Sequence, residues 1–172
     1  VQTADDRSVS SVLYYLFAYA FMNVGAFAIV AWLQERGGGT NIEDFNGLAS
    51  RSPLAALAMT VFMFSLMGIP PLVGFYGKYY VIVATIESNM IWLAIAIVLA
   101  SAVSAFYYLR VVAAMYFSPP PETEMTPSRV PLMATGLVVM TVATIAAGIF
   151  SSQVFDLAQN WINAFSTTIA MR

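Results

Sequence analysis

The chain contains no cysteine and no histidine, and only 9% of its 172 residues are charged. Without thiolate or imidazole ligands, a zinc, haem or iron–sulfur centre held by those residues is excluded. A net charge of −2, with seven scattered basic residues, gives no basic face for nucleic acid. No glycine-rich phosphate loop ending in Lys-Ser or Lys-Thr, no Ser–His–Asp set and no dense acidic cluster occurs, so ATP hydrolysis and hydrolytic catalysis have no support. Val1 to Arg7 lacks an initiator Met and the basic stretch of a signal peptide, and reads as a chain entered midway.

What is abundant is apolar surface. Hydrophobic residues make up 60% of the sequence and the mean hydropathy is +0.77. Soluble domains carry roughly 25% charged residues, so this composition belongs to a membrane protein, with one domain and an all-α, polytopic bundle as its fold class. At roughly 20 apolar residues per crossing, the chain holds about four or five spans.

The first span is expected over 10–35, with Ser8, Ser10 and Ser11 available to cap it, Tyr14, Tyr15 and Tyr19 at one interface and Trp32 at the other. Gly37-Gly38-Gly39 ends it, and Thr40 to Arg51 reads as a short amphipathic turn. Pro53 suits a helix first turn, and an apolar run follows to Leu66. Gly68-Ile69-Pro70-Pro71, then Gly74 and Gly77, interrupt it before the apolar pattern resumes. Paired prolines remove two amide donors and glycine weakens helix propagation, so backbone near 68–77 should unwind. Such backbone is tolerated at membrane depth only inside protein or beside water.

Two arrangements fit residues 52–88: one discontinuous helix that crosses once, or two short helices joined by a turn. Charge favours the first. A single crossing puts Arg36, Arg51, Arg110 and Arg129 on one side, against Arg7 and Arg172 on the other, and the positive-inside rule places the larger group in the cytoplasm. Both chain ends are then external. Further spans are expected over 90–117 and 130–150, separated by a polar loop with Pro119 to Pro121, Glu122, Glu124 and Pro127. Over 152–168, Val154, Phe155, Leu157, Ala158, Trp161, Ile162 and Phe165 keep helical spacing, as in a helix lying on the membrane surface.

Lys78 is the one basic residue well inside an apolar segment, among Phe75, Tyr76, Tyr79 and Tyr80. A charge at the centre of a spanning helix costs about 2.5–3.5 kcal/mol on insertion scales. Desolvation disfavours a lysine's charged form, so a buried one can gain and lose a proton near neutral pH. Unwound backbone beside it supplies carbonyls and water for the charged form. The plainer alternative is that Lys78 snorkels to the interface. Asn23, Thr60, Ser65, Ser101, Ser104 and Tyr107 are candidates for a polar path, set against ordinary interhelical hydrogen bonding. Arg110, after Tyr107-Tyr108, is a candidate charge partner or interfacial anchor at the end of its span.

The run Phe64 to Tyr80 (FSLMGIPPLVGFYGKYY) closely resembles subunit N of the proton-pumping NADH–quinone oxidoreductases, respiratory complex I. Tyr14 to Ala28, Asp44 to Pro53 and Ser104 to Tyr116 fit the same subunit in order. The resemblance implies an antiporter-like subunit built of two inverted repeats, each with a discontinuous helix bearing a functional lysine. This chain looks like the last four helices, part of the second repeat. Lys78 matches the lysine proposed to relay protons there, with Gly68, Pro70, Pro71, Gly74 and Gly77 forming the helix break. Subunit M has glutamate at this place, and subunit L usually follows its lysine with aspartate, so Lys78-Tyr79 points to N. The resemblance further implies an inner-membrane enzyme of bacterial type, in which the chain binds no cofactor itself. NADH, FMN, iron–sulfur clusters and quinone would sit on other subunits. Its partners would be the other membrane subunits, the N-terminal part of the same subunit and the lipid bilayer. A multisubunit cation/proton antiporter and a purely structural scaffold are the rival readings.

Overall fold

A computed structural model of the chain describes residues 4–121 and 131–170. It is all-helical, with no strand among the described residues. The helices are α1 (Ala4–Glu35), α2 (Leu48–Arg51), α3 (Pro53–Met67), α4 (Val73–Glu87), α5 (Ile91–Phe117), α6 (Pro131–Ile149) and α7 (Ser151–Ala170), with a 3-10 turn at Ile42–Phe45. Glu122, Glu124, Pro127 and Arg129, expected in the loop before α6, lie outside the described residues, as does Arg172.

α1 is the central post, packed against α3, α4, α6 and α7. Its inward side places Tyr14, Met22, Ile29 and Leu33 at 1% exposure or less. Two sequence expectations change here. The helix begins at Ala4, so Ser10 and Ser11 are not caps but small residues buried within it, where helices approach closely. Tyr14 is not an interfacial residue either: it is buried in the core, and its hydroxyl donates to the carbonyl of Ala147 at 3.2 Å. At the other end Trp32 is also buried, with the Arg36 guanidinium 4.2 Å above its ring.

Gly37 closes α1 with φ +85°. Its amide donates to Gln34 and that of Gly38 to Leu33, a Schellman cap. The turn that follows is held by Arg51, whose guanidinium donates to the carbonyls of Asp44 and Asn46, both at 2.9 Å. Phe45 and Leu48 point inward from this turn. Pro53 starts α3 without loss, since a first-turn amide has no intrahelical partner.

α3 and α4 are laid end to end along α1 and run opposite to it. Phe62 of α3 lies against Gly25, whereas Gly74 and Gly77 of α4 lie against Met22 and against Tyr15 and Ala18. α4 returns to α5 through a tight turn in which Asn89 takes φ +58°, a conformation asparagine tolerates. Ser8–Glu35 and Ile91–Phe117 are the helices long and apolar enough to cross a membrane alone among the described residues. The α6–α7 pair, bent by 87°, passes the same test only when its two parts are taken together. α5 runs on to Phe117, so Arg110 is not at its end, as expected from the sequence, but on an exposed face within it.

Candidate functional site

The polar atoms of this bundle converge where α3 stops. An α-helix leaves its last four carbonyls without intrahelical partners. Gly68, in the left-handed region at φ +91°, lets the chain fold back so that its amide donates to Ser65 at 3.0 Å and that of Ile69 to Phe64 at 3.0 Å. This Schellman cap leaves two carbonyls, those of Leu66 and Met67. The Lys78 ammonium takes both, donating at 2.8 Å and 3.1 Å. Lys78 therefore sits at the negative end of the α3 dipole, where a cation is favoured.

The start of α4 is pinned to the same place. The buried Ser65 hydroxyl accepts the amide of Gly74 at 3.1 Å, meeting one of the amide donors that a helix N-terminus leaves unpaired. Approach is so close that a Cβ on Gly74 would lie 2.7 Å from the Ser65 carbonyl carbon and 3.0 Å from Met22 Sδ. Only glycine fits. Gly77 faces Tyr15 at a distance that a Cβ would make tight, 3.3 Å. Pro70 and Pro71 form the exposed outer part of the linker and are joined by a cis peptide.

On the side of Lys78 facing α5 there is a cavity of about 390 Å³. Hydroxyls from two helices line it: Tyr15 and Tyr19 of α1, and Ser101, Ser104 and Tyr108 of α5. The space exceeds what single water molecules require, and the wall offers them partners. Ser104 is engaged with its own helix, donating to the carbonyl of Ser101 at 2.9 Å.

The other sequence candidates fall elsewhere. Tyr107 is 61% exposed on the outer face of α5, while its neighbour Tyr108 lines the cavity. Asn23 donates to the carbonyl of Tyr19 at 2.8 Å on α1 and does not line the cavity. Ser65 serves the helix break, and Arg110 is exposed and does not line the cavity. Of the sequence candidates, Ser101 and Ser104 do line the cavity, and Thr60 donates to the carbonyl of Ala56 on its own helix; sequence reasoning missed Tyr15, Tyr19 and Tyr108. The signals that bear on them are spacings: Tyr15 and Tyr19 lie four apart on one helical face, where their rings stack at 5.8 Å, and Tyr108 shares a face with Ser101 and Ser104.

Residues 2–104 match the family described as NADH:quinone oxidoreductase/Mrp antiporter, transmembrane. Among curated relatives, the NADH-quinone oxidoreductase subunit N of Trichlorobacter lovleyi is 44% identical over 87% of this chain and 31% of its own length. Subunit N 1 of Solibacter usitatus is 41% identical over 89% of the chain and 32% of its own. The chain thus spans about a third of the length of these relatives. Among solved structures, respiratory complex I from Thermus thermophilus contains a similar chain, with a TM-score of 0.73 and 29% identity over 86% of this chain and 34% of that one. An archaeal membrane-bound sulfane sulfur reductase, a respiratory membrane complex, contains another, with a TM-score of 0.80 and 26% identity over 90% of this chain and 31% of that one. With more than half of its residues matched by the family model and the same helical arrangement in both solved complexes, the chain belongs to the NADH:quinone oxidoreductase/Mrp antiporter transmembrane family.

Proposed function

We propose that this chain is part of a membrane subunit of a proton-translocating NADH–quinone oxidoreductase and that Lys78 relays protons through it. The observation that carries the reading is the placement of one ammonium between the two carbonyls that the α3 cap leaves free and a hydroxyl-lined cavity. The carbonyls stabilise the charged lysine, and the cavity gives water a place to take its proton. A lysine that only snorkelled would direct its nitrogen to the interface; here it reaches back to the end of α3.

In this reading α3 and α4 form a single crossing. Each has 15 residues, about 22 Å of helix, too short for a hydrocarbon core of about 30 Å. End to end they suffice. α6 crosses as well, and α7, turned by 87°, lies along the external surface, so both ends of the segment are external in an inner membrane of bacterial type. NADH, FMN, the iron–sulfur clusters and quinone belong to other subunits, and this chain works only with them and with the rest of its own subunit. The family description also names an Mrp antiporter, which supports a second reading, exchange of a cation for protons without NADH oxidation.

The test is NADH-driven proton pumping by the assembled enzyme carrying Lys78→Met, at matched assembly and normalised to quinone reduction. Pumping should fall by about tenfold or more, the scale expected when a positioned proton-transfer group is removed. Unchanged pumping would leave Lys78 a structural lysine and favour a scaffold. A sodium-dependent pH response without NADH oxidase activity would favour the antiporter.

A further inference from the structure

α4 is a short helix cut off from α3, and on the Lys78 side it faces open space. Ser65 holds its start and Gly74 and Gly77 pack it on α1; a further support comes from the side opposite Lys78. Positions 78 and 80 are separated by about 200° around a helix, so Tyr80 faces away from the cavity. There it meets the elbow between α6 and α7.

The elbow touches α4 on both sides of Lys78 along the chain. Before it, Gly148 of α6 abuts the linker so closely that a Cβ would lie 2.7 Å from the carbonyl carbon of Leu72 and the nitrogen of Val73. After it, the Tyr80 ring stacks on Phe155 of α7, centroids 4.1 Å apart and planes at 21°. Tyr14 packs edge-on against Tyr80 at 5.2 Å and against Phe155 at 6.1 Å, and its hydroxyl holds Ala147. Ser151, at the start of α7, is buried beside Tyr80. Phe155 is 8% exposed, while Leu157 and Trp161 of the same helix are 59% and 67% exposed. α7 thus turns one aromatic ring inward against α4.

We propose that the α6–α7 elbow is a cradle that positions Lys78, with Gly148 and Phe155 as positioning residues. Resting on the relay reading of Lys78, it assigns the C-terminal helices a part in that relay. Pressure on the linker and on Tyr80 holds α4 so that the ammonium on its other face meets Leu66 and Met67. If the cradle loosens, Lys78 shifts relative to those carbonyls and to Tyr15, Tyr19 and Tyr108 across the cavity.

The experiment uses membrane vesicles of the assembled enzyme carrying Phe155→Ala, Phe155→Tyr, Gly148→Ala, Leu157→Ala or Lys78→Met in the full-length subunit. Protons pumped per NADH oxidised are measured across pH at matched assembly. Phe155→Ala and Gly148→Ala should lower that ratio by roughly threefold or more, the scale of a lost aromatic pair, and displace its pH profile. Phe155→Tyr, which keeps the ring, should restore both, and Leu157→Ala should change neither. Should Gly148→Ala fail to assemble, Phe155→Ala and its tyrosine rescue carry the test. An unaltered ratio and profile in Phe155→Ala, beside lost pumping in Lys78→Met, overturns the cradle alone. Normal pumping in Lys78→Met overturns the relay reading and the cradle with it.

Discussion

α1 and α3 end with the same device in different surroundings. Each closes on a left-handed glycine, Gly37 at φ +85° and Gly68 at φ +91°. In each, the glycine amide and the next one pair with carbonyls one turn back. At α1 the carbonyl one place before the cap belongs to Glu35, an exposed residue at a helix end beside a polar turn, where water can meet it. At α3 the leftover carbonyls belong to Leu66 and Met67, and Lys78 meets them instead. An identical cap thus needs a cation only where it is enclosed by apolar helices. The same contrast separates the break from the elbow. Two backbone bonds bracket Phe150, its amide to Ala146 at 2.8 Å and that of Val154 to Phe150 at 3.1 Å. The elbow's carbonyls are met partly by its own backbone and, at Ala147, by the neutral Tyr14 hydroxyl in place of a charge.

The largest effect expected from this contrast comes from separating α4 from the end of α3. Gly74→Val places two branches where even one carbon would overlap the Ser65 backbone. Backbone atoms cannot give way as a flexible side chain can, so a cost above about 3 kcal/mol is expected, beyond ordinary overpacking. The subunit should be lost from the assembled complex on a native gel. Gly37→Val should keep the subunit in the complex, because nothing lies within 4 Å of a Cβ there and its cost is confined to the strain of a left-handed backbone.

Ser65→Ala should come next. It removes the acceptor of a buried amide, that of Gly74, and offers no replacement. An unsatisfied buried donor costs about 1–3 kcal/mol. Thermal retention of the subunit in detergent should drop, while assembly at low temperature persists. A second consequence sharpens the comparison. If the break is held jointly by Ser65 and Lys78, Ser65→Ala combined with Lys78→Met should cost more or less than the sum of the single changes, as neighbours in one network do.

Much of this was written in the residue types. A lysine among aromatic residues, after Gly68, Pro70 and Pro71, signals a break because both charge and missing donors are expensive in an apolar helix. The all-helical class follows from the long apolar runs. Side-chain direction was less legible. Along α5 the signal was faint: Ser101, Ser104 and Tyr108 keep i, i+3, i+7 spacing on one face, with Tyr107 about 100° round from Tyr108, but two serines in a long apolar helix are a thin stripe. Tyr14 looked interfacial because tyrosine at a span end often is. Its burial depends on α6 and α7 arriving from more than a hundred positions away, which no local pattern announces. The use of the Leu66 and Met67 carbonyls was equally hidden, since every residue carries a carbonyl and only the cap leaves these two unpaired.

The smallest expected effect is also the most discriminating, and it sets the two caps against each other directly. Alanine at a left-handed position costs about 1–2 kcal/mol from the clash of Cβ with the following carbonyl. Gly37→Ala and Gly68→Ala should both lose this much in thermal retention, because their backbone angles are nearly equal. Their surroundings differ. A Cβ at 37 meets open space, while one at 68 would lie 3.3 Å from Lys78 Cδ and 3.7 Å from its Nζ. Gly68→Ala should therefore also displace the pH profile of NADH-driven pumping, and Gly37→Ala should leave that profile in place. Equal profiles for the two variants would mean that the cap at α3 acts on stability alone, and that Lys78 can lose its close fit to Gly68 without consequence for transport.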